Sequence, residues 1–202
     1  MNTILHLTSS IFGDAGQSSR LAAEFVAAQP GTRVIARDLA RNPVPHLDAE
    51  RFGAFLSKPE DRTPAQQRVL DESDALIAEL KQADTLVLGL PMYNFGVPSQ
   101  LKAYFDHVAR AGATFMYTEK GAVGLLGGKK AYVFAARGGL YQGTPRDTQT
   151  AYVRDFLAFL GITDVEFVYA EGLAISEASK AQSLATARGA LRALVQPETI
   201  AA

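Results

Sequence analysis

The chain has 202 residues, 48% hydrophobic and 20% charged, with 20 lysines and arginines against 21 acids for a net charge of −1. That length matches one domain with a core of its own, and so even a charge balance gives no general attraction to nucleic acid or to an anionic membrane surface. There is no cysteine, which excludes disulfides, thiolate nucleophiles, Cys-ligated zinc and iron–sulfur clusters.

The first segment, TILHLT (Thr3–Thr8), is short, mostly apolar and β-prone. With its leader MN it lacks the basic n-region and long apolar run of a signal peptide, so it reads as a strand. No apolar run approaches the ~18 residues of a membrane span, and a cytoplasmic protein is expected. A polar loop, SSIFGDAGQSS (Ser9–Ser19), leads into a helical pattern, RLAAEFVAAQ (Arg20–Gln29). TRVIARD (Thr32–Asp38) predicts the second strand. An extra segment, about 41–62, follows with three prolines and a short apolar piece, ERFGAFL.

Thr63–Gln82 has the clearest helical spacing, with Thr63 as N-cap and Pro64 at the first helical position. TLVLGL (Thr85–Leu90) predicts the third strand, and SQLKAYFDHVAR after Pro98 a helix. A second extra segment, about 113–128, contains TFMYT. KAYVFAA (Lys130–Ala136) predicts the fourth strand. TQTAYVRDFLAFLG (Thr148–Gly161) is a helix ending on a C′ glycine. VEFVYAEG (Val165–Gly172) predicts the fifth strand, and a last helix covers Glu177–Val195. The strand runs are apolar nearly throughout, as expected of strands buried on both faces. Strand–helix alternation across 1–202 predicts a single α/β domain, a parallel sheet with helices on both faces.

In such sheets ligands bind beyond the carboxyl ends of the strands, at the switch point. That rule selects Ser9–Ser19, Pro91–Ser99 and Arg137–Thr144. The first is rich in Ser and Gly and opens a helix, whose N–H groups and partial positive charge suit an anion. It lacks G-x-G-x-x-G and the Lys of a P-loop, so the terminal phosphate of a mononucleotide fits better than a dinucleotide or a triphosphate. In the second, Met92, Tyr93, Asn94 and Phe95 offer apolar faces, main-chain amides and one side-chain amide. They suit a planar heteroaromatic ring with a polar edge, such as the isoalloxazine of FMN. In the third, Gly138 and Gly139 allow a close backbone approach, and positive φ where needed.

No catalytic triad stands out, and the chemistry would belong to a cofactor; Asn94 is a candidate partner for flavin N5. The three histidines, His6, His46 and His107, are scattered, with no H-E-x-x-H, and no metal site is expected. Asp38 reads as a solvated strand end, and Arg37, Arg51 and Arg62 as surface charges rather than a 2′-phosphate site.

The stretch PMYNFGVPSQLKAYFDHVARAGATFMYT, with SSIFGDAGQSS before it and ARGG after it, resembles the FMN-dependent NADH-azoreductases, also called FMN-dependent NADH:quinone oxidoreductases. The resemblance spans nearly the whole chain. It implies a flavodoxin-like doubly wound five-stranded sheet of order 2-1-3-4-5 and a homodimer with one FMN per subunit at each interface site. Ser10, Gly16, Gln17 and Ser18 would hold the phosphate. Met92, Tyr93, Asn94 and Phe95 would line the flavin, with Ala136, Arg137, Gly138 and Gly139 beside it. Family members often carry Ser where this chain has Gly16 and Ala136, so contacts there fall to the backbone. Phe115 and Tyr117 of the partner's extra segment would help roof the ring. The implied activity is ping-pong: NADH delivers hydride to FMN, and a quinone or aromatic azo compound then takes two electrons. The alternatives are a flavodoxin-type electron carrier, against which the near-neutral charge argues, a phosphodiester hydrolase, for which no carboxylate cluster or activated nucleophile is evident, and a non-catalytic FMN-binding module.

Overall fold

The computed structural model describes residues 2–195; Met1 and 196–202, the two ends of the expected domain, lie outside the described residues. Strands β1 (Thr3–Thr8), β2 (Arg33–Asp38), β3 (Thr85–Pro91), β6 (Lys130–Ala136) and β7 (Asp164–Ala170) form one sheet in the order β2-β1-β3-β6-β7, every pairing parallel. These are the five predicted strands in the predicted order. The remaining two, β4 (Phe115–Thr118) and β5 (Gly121–Gly124), form an antiparallel hairpin inside the second extra segment.

Alternation along the strands divides the core between the two faces. Leu5 and Leu7 of β1 and Leu86, Leu88 and Leu90 of β3 point to the face covered by α3 (Pro64–Gln82), α4 (Ser99–Val108) and α5 (Thr148–Phe159). Ile4, Val87, Phe134 and Val168 point to the opposite face, under α1 (Gln17–Ala27) and α6 (Glu177–Val195). Phe25 of α1 is buried there between Tyr132 and Phe134, with ring centroids at 4.5 and 5.4 Å; truncating such a side chain to alanine costs about 3–5 kcal/mol.

Local chemistry sets the ends of the elements. The hydroxyl of Thr63 accepts from Gln66 N–H, and Gln66 Oε1 accepts from Thr63 N–H, a reciprocal cap on α3 with Pro64 just inside it. The first extra segment contains a helix the periodicity does not predict, α2 (Ala49–Leu56), capped by Asp48, which accepts from Arg51 N–H at 2.8 Å. It packs on α3, and its Phe55 meets the buried His107 ring edge-on at 5.8 Å. His107 lies in the last turn of α4, and its Nδ1 lies 2.9 Å from Ala103 O.

Two strands depart from burial on both faces. β2 and β7 are the two edges of the sheet; Val34 of β2 is 42% exposed, and Asp164 and Glu166 of β7 are exposed. An apolar run such as VIA reports β-propensity, but only the pairing partners decide whether a strand is central or at the rim.

Candidate functional site

The chain turns in opposite directions after β1 and β3, so the crevice of the sheet opens between their carboxyl ends. At Gly89 a Cβ would stand 3.2 Å from Ser18 O, so this glycine lets the start of α1 lie directly on β3. Ser9 Oγ donates to Gly89 O at 3.1 Å and ties the first loop to the same strand.

In that loop Gly16 caps α1 without a side-chain bond, and the helical ladder begins at Arg20 N–H to Gly16 O. The N–H groups of Gln17, Ser18 and Ser19 therefore have no intrahelical acceptor. The Ser18 side chain is fully buried, and its Oγ has no partner among the described residues. With Ser10 as placed, Gly16 has no room for a side chain: a Cβ would fall 2.2 Å from Ser10 Oγ and 2.6 Å from Ser10 Cβ, so Ser10 would have to shift. The Tyr93 hydroxyl lies 3.3 Å from Ser10 Oγ and accepts Ile11 N–H at 3.2 Å, joining the loop after β1 to the loop after β3.

The second loop is a tight turn. Tyr93 and Gly96 exchange N–H···O bonds of 3.2 and 2.9 Å across Asn94 and Phe95, whose φ angles are +49° and +65°. The turn's own bonds use neither central N–H. Asparagine tolerates this left-handed region, but phenylalanine pays about 1–2 kcal/mol for it. Side-chain residues at positive φ cluster at ligand-holding sites, where surrounding structure holds them. Phe95 is also half-exposed and meets Tyr141 edge-on at 5.5 Å.

In the third loop neither Gly138 nor Gly139 has the positive φ the sequence allowed for. Their lack of a Cβ is what counts: one at Gly138 would stand 3.3 Å from Ala174 Cβ, and one at Gly139 2.6 Å from the Tyr141 hydroxyl. Arg137 is committed within the protein: its N–H donates to Ala170 O at 2.9 Å and its carbonyl accepts Leu173 N–H at 3.1 Å. Its guanidinium is buried, donating to Asp147 at 2.8 Å, to Glu171 at 3.0 Å and to Thr150 at 3.1 Å, with Tyr169 beneath it at 5.0 Å. Burial pushes the Asp147 carboxyl up, but the bonds from Arg137 and Thr150 outweigh it and hold the group below its ordinary value.

These loops converge on one cleft of about 180 Å³, lined by Ser10, Gly16, Gln17, Ser18, Met92, Tyr93, Ala136, Arg137 and Gly138 of the sequence-predicted residues. Phe12, Pro91 and Leu173 line it too and were not predicted; Pro91 stands in the strand-tip stretch the sequence singled out, whereas nothing in the sequence marks Leu173. Asn94, Phe95 and Gly139 stand outside this lining. Of the two hairpin residues, Phe115 is 6% exposed and packs on Phe159 of its own subunit, centroids 4.4 Å apart, whereas Tyr117 is 74% exposed. Asp38 caps a turn, accepting from Ala40 and Arg41 N–H. Arg37, Arg51 and Arg62 are engaged by Glu79, by Glu72, and by Ser57 with Gln67. Among the described residues no group of three or more His, Cys, Asp or Glu is gathered as a metal site, and no described helix is long and apolar enough to cross a membrane.

A profile for the flavodoxin-like fold matches residues 2–195. An FMN-dependent NADH:quinone oxidoreductase of Cellvibrio japonicus is 54% identical over 93% of this chain and 96% of its own length. Another, from Alcanivorax borkumensis, is 54% identical over 94% and 98%. Among solved structures, an azoreductase from Bacillus anthracis superposes with a TM-score of 0.88 at 26% identity, covering 96% of this chain and 99% of that one. An FMN-dependent NADH-azoreductase from the same species, in complex with FMN, gives 0.85 at 27% identity, covering 97% and 100%.

Proposed function

The chain belongs to the flavodoxin-like family of FMN-dependent NADH:quinone oxidoreductases, and from that premise we propose that it is an FMN enzyme oxidising NADH and reducing quinones or aromatic azo compounds by a ping-pong route. The observation that carries this is the convergence of three strand-tip loops on one cleft beside a buried, unpartnered Ser18 hydroxyl and the open N-terminus of α1. Bound FMN would supply the chemistry, its N5 taking hydride from NADH and its ring returning two electrons to the second substrate.

The residues fit that group. The amides of Gln17, Ser18 and Ser19 and the hydroxyls of Ser10 and Ser18 would hold the phosphate, with the positive end of the α1 dipole behind it. Gly16, Gly138 and Gly139 leave the space that side chains would fill. Met92 and Tyr93 would line the ring. The left-handed turn would offer an Asn94 donor, from backbone or side chain, to N5. Ala136, Arg137 and Gly139 would contact the cofactor through backbone.

A one-electron carrier of the flavodoxin type would be favoured by negative charge beside the ring. Here no carboxylate among the described residues lines the cleft, and Asp147 and Glu171, the acids nearest the third loop, both bond to Arg137, which offsets one of their two charges; this supports two-electron transfer. A metal-dependent hydrolase finds no support, since no group of three or more His, Cys, Asp or Glu among the described residues is gathered to hold a metal.

The reading extends to a cytoplasmic homodimer. Helix α5 touches the cleft loops at its start, through Gln149, and at its end the last residue of the hairpin, Gly124, lies against Leu160 and Gly161, with Leu126 N–H just beyond it donating to Leu160 O. Twelve residues of helix separate the two, roughly 18 Å. Tyr117 belongs to the hairpin at the far end of α5, which supports its roofing the flavin of a second copy rather than its own. The test is to purify the protein, add FMN and follow NADH consumption with a benzoquinone and an azo dye. Flavin uptake with turnover of both acceptors is expected; absence of flavin uptake would overturn the reading, and FMN binding without NADH oxidation would return the carrier or the binding module.

A further inference from the structure

The turn at Asn94 and Phe95 needs an external hold. Two-residue turns of this hand favour glycine at the second central position, and Phe95 occupies it with φ at +65°. The hold comes from the first turn of α5. Gln149 is fully buried, and its Nε2 donates to Pro91 O at 2.9 Å and to Gly96 O at 2.8 Å, so one amide grips both ends of the 91–96 stretch. Two carbonyl oxygens at that range can be met only by the nitrogen of the side chain, which fixes the orientation of the amide. Beside it, the exposed Thr148 hydroxyl donates to Phe95 O. The same helical turn is anchored to the third loop by Asp147 and Thr150, which bind Arg137. Gln149 does not line the cleft; it acts through the turn.

We propose that Gln149 is a positioning residue for the reaction: its amide holds the strained Tyr93–Gly96 turn in its left-handed form and so sets the hydrogen-bond donor presented to the flavin ring. The inference rests on the FMN reading above and assigns a role to a residue outside the flavin shell.

The experiment is a double-mutant cycle of Gln149→Met, which keeps bulk and removes both bonds, with Phe95→Gly, which lets the turn adopt its shape without strain. Amide exchange at Tyr93 and Gly96 is read in the FMN-free protein, and the FMN dissociation constant and flavin midpoint potential in the loaded one. In the parent chain Gln149→Met should speed exchange at both amides and weaken FMN about thirtyfold, the worth of two lost hydrogen bonds. It should also move the midpoint potential. In the Phe95→Gly background the same change should weaken FMN by less than about threefold, because the two sites are coupled. An equal loss in both backgrounds would overturn the proposal, as would a lowered melting temperature with exchange, affinity and potential unchanged. Thr148→Val, at an exposed position, gives a smaller loss in the same direction and keeps the test open should Gln149→Met fold poorly; no change in exchange or affinity there, with Gln149→Met unfolded, would count against the brace. If the parent protein takes up no FMN, the flavin reading falls, while exchange at Tyr93 and Gly96 still decides the brace.

Discussion

Two residues show how backbone, rather than side-chain chemistry, shapes this site. Phe95 sits where glycine is the usual choice, so its two simplest replacements should invert the ordinary order of stability. Both remove the ring, but alanine keeps the left-handed strain, about 1–2 kcal/mol, and glycine does not. Glycine's greater freedom in the unfolded chain returns about 0.5–1 kcal/mol of that difference. Phe95→Gly should therefore be more stable than Phe95→Ala, by up to about 1.5 kcal/mol in chemical denaturation; the opposite ranking would remove the claim of strain. Gly16 presents the converse case, an unstrained φ of −64° with no room for a side chain. Gly16→Ala should drive Ser10 out of place, costing about 1–3 kcal/mol of stability by overpacking. It should also cost about tenfold in FMN affinity, as expected of one lost bond to a charged group. Adding Ser10→Ala should recover part of the stability and none of the affinity.

At the scale of elements, α5 links the catalytic end of the sheet to the hairpin, and its N-terminus depends on an ion pair. Asp147→Asn leaves Arg137 its bond to Glu171 but removes the charge from the shorter of the two contacts, so it should destabilise the chain by about 1.5 kcal/mol near neutral pH. The sign with pH follows from the depressed carboxyl. The folded chain favours the ionised form, so the contribution is intact above the ordinary value of 3.8 and is lost as pH falls through the lower folded value. Melting temperatures of parent and Asp147→Asn should converge below about pH 3.8; a constant gap across that range would place the stabilisation elsewhere. Little of this network is legible in the sequence. Arg137 and Asp147 stand at opposite ends of one connection and Glu171 on another, and no local pattern tells a guanidinium bound for the core from one bound for a ligand. The cap at Thr63 and Pro64 could be read because its chemistry is local. Helix α2 was reduced to an apolar fragment because it spans only Ala49–Leu56, too short for its period to stand out.

For the molecule as a whole, alternation of strands and helices was enough to predict the sheet, and the switch-point rule was enough to predict where the loops converge. What escaped depends on partners distant in sequence: the burial of Phe115 and the grip of Gln149. Assembly is tested at this scale. Tyr117, Met116 and Val123 leave apolar surface on the hairpin, while Phe12, Phe95 and Leu140 do so around the cleft. The protein should sediment as a dimer, and Tyr117→Glu should shift it toward monomer and lower turnover several-fold, the loss expected of a site deprived of part of its wall. A parent chain that is monomeric at full activity would rule out a shared site.

Arg137 has a further consequence. Among the described residues lining the cleft it is the sole cation, and its charge is already spent on two carboxylates. A doubly charged phosphate would thus be gripped by uncharged groups, with no mobile counter-ions to expel from a basic surface. Its retention should barely respond to added sodium chloride, and dialysis against strong brine should leave the protein yellow.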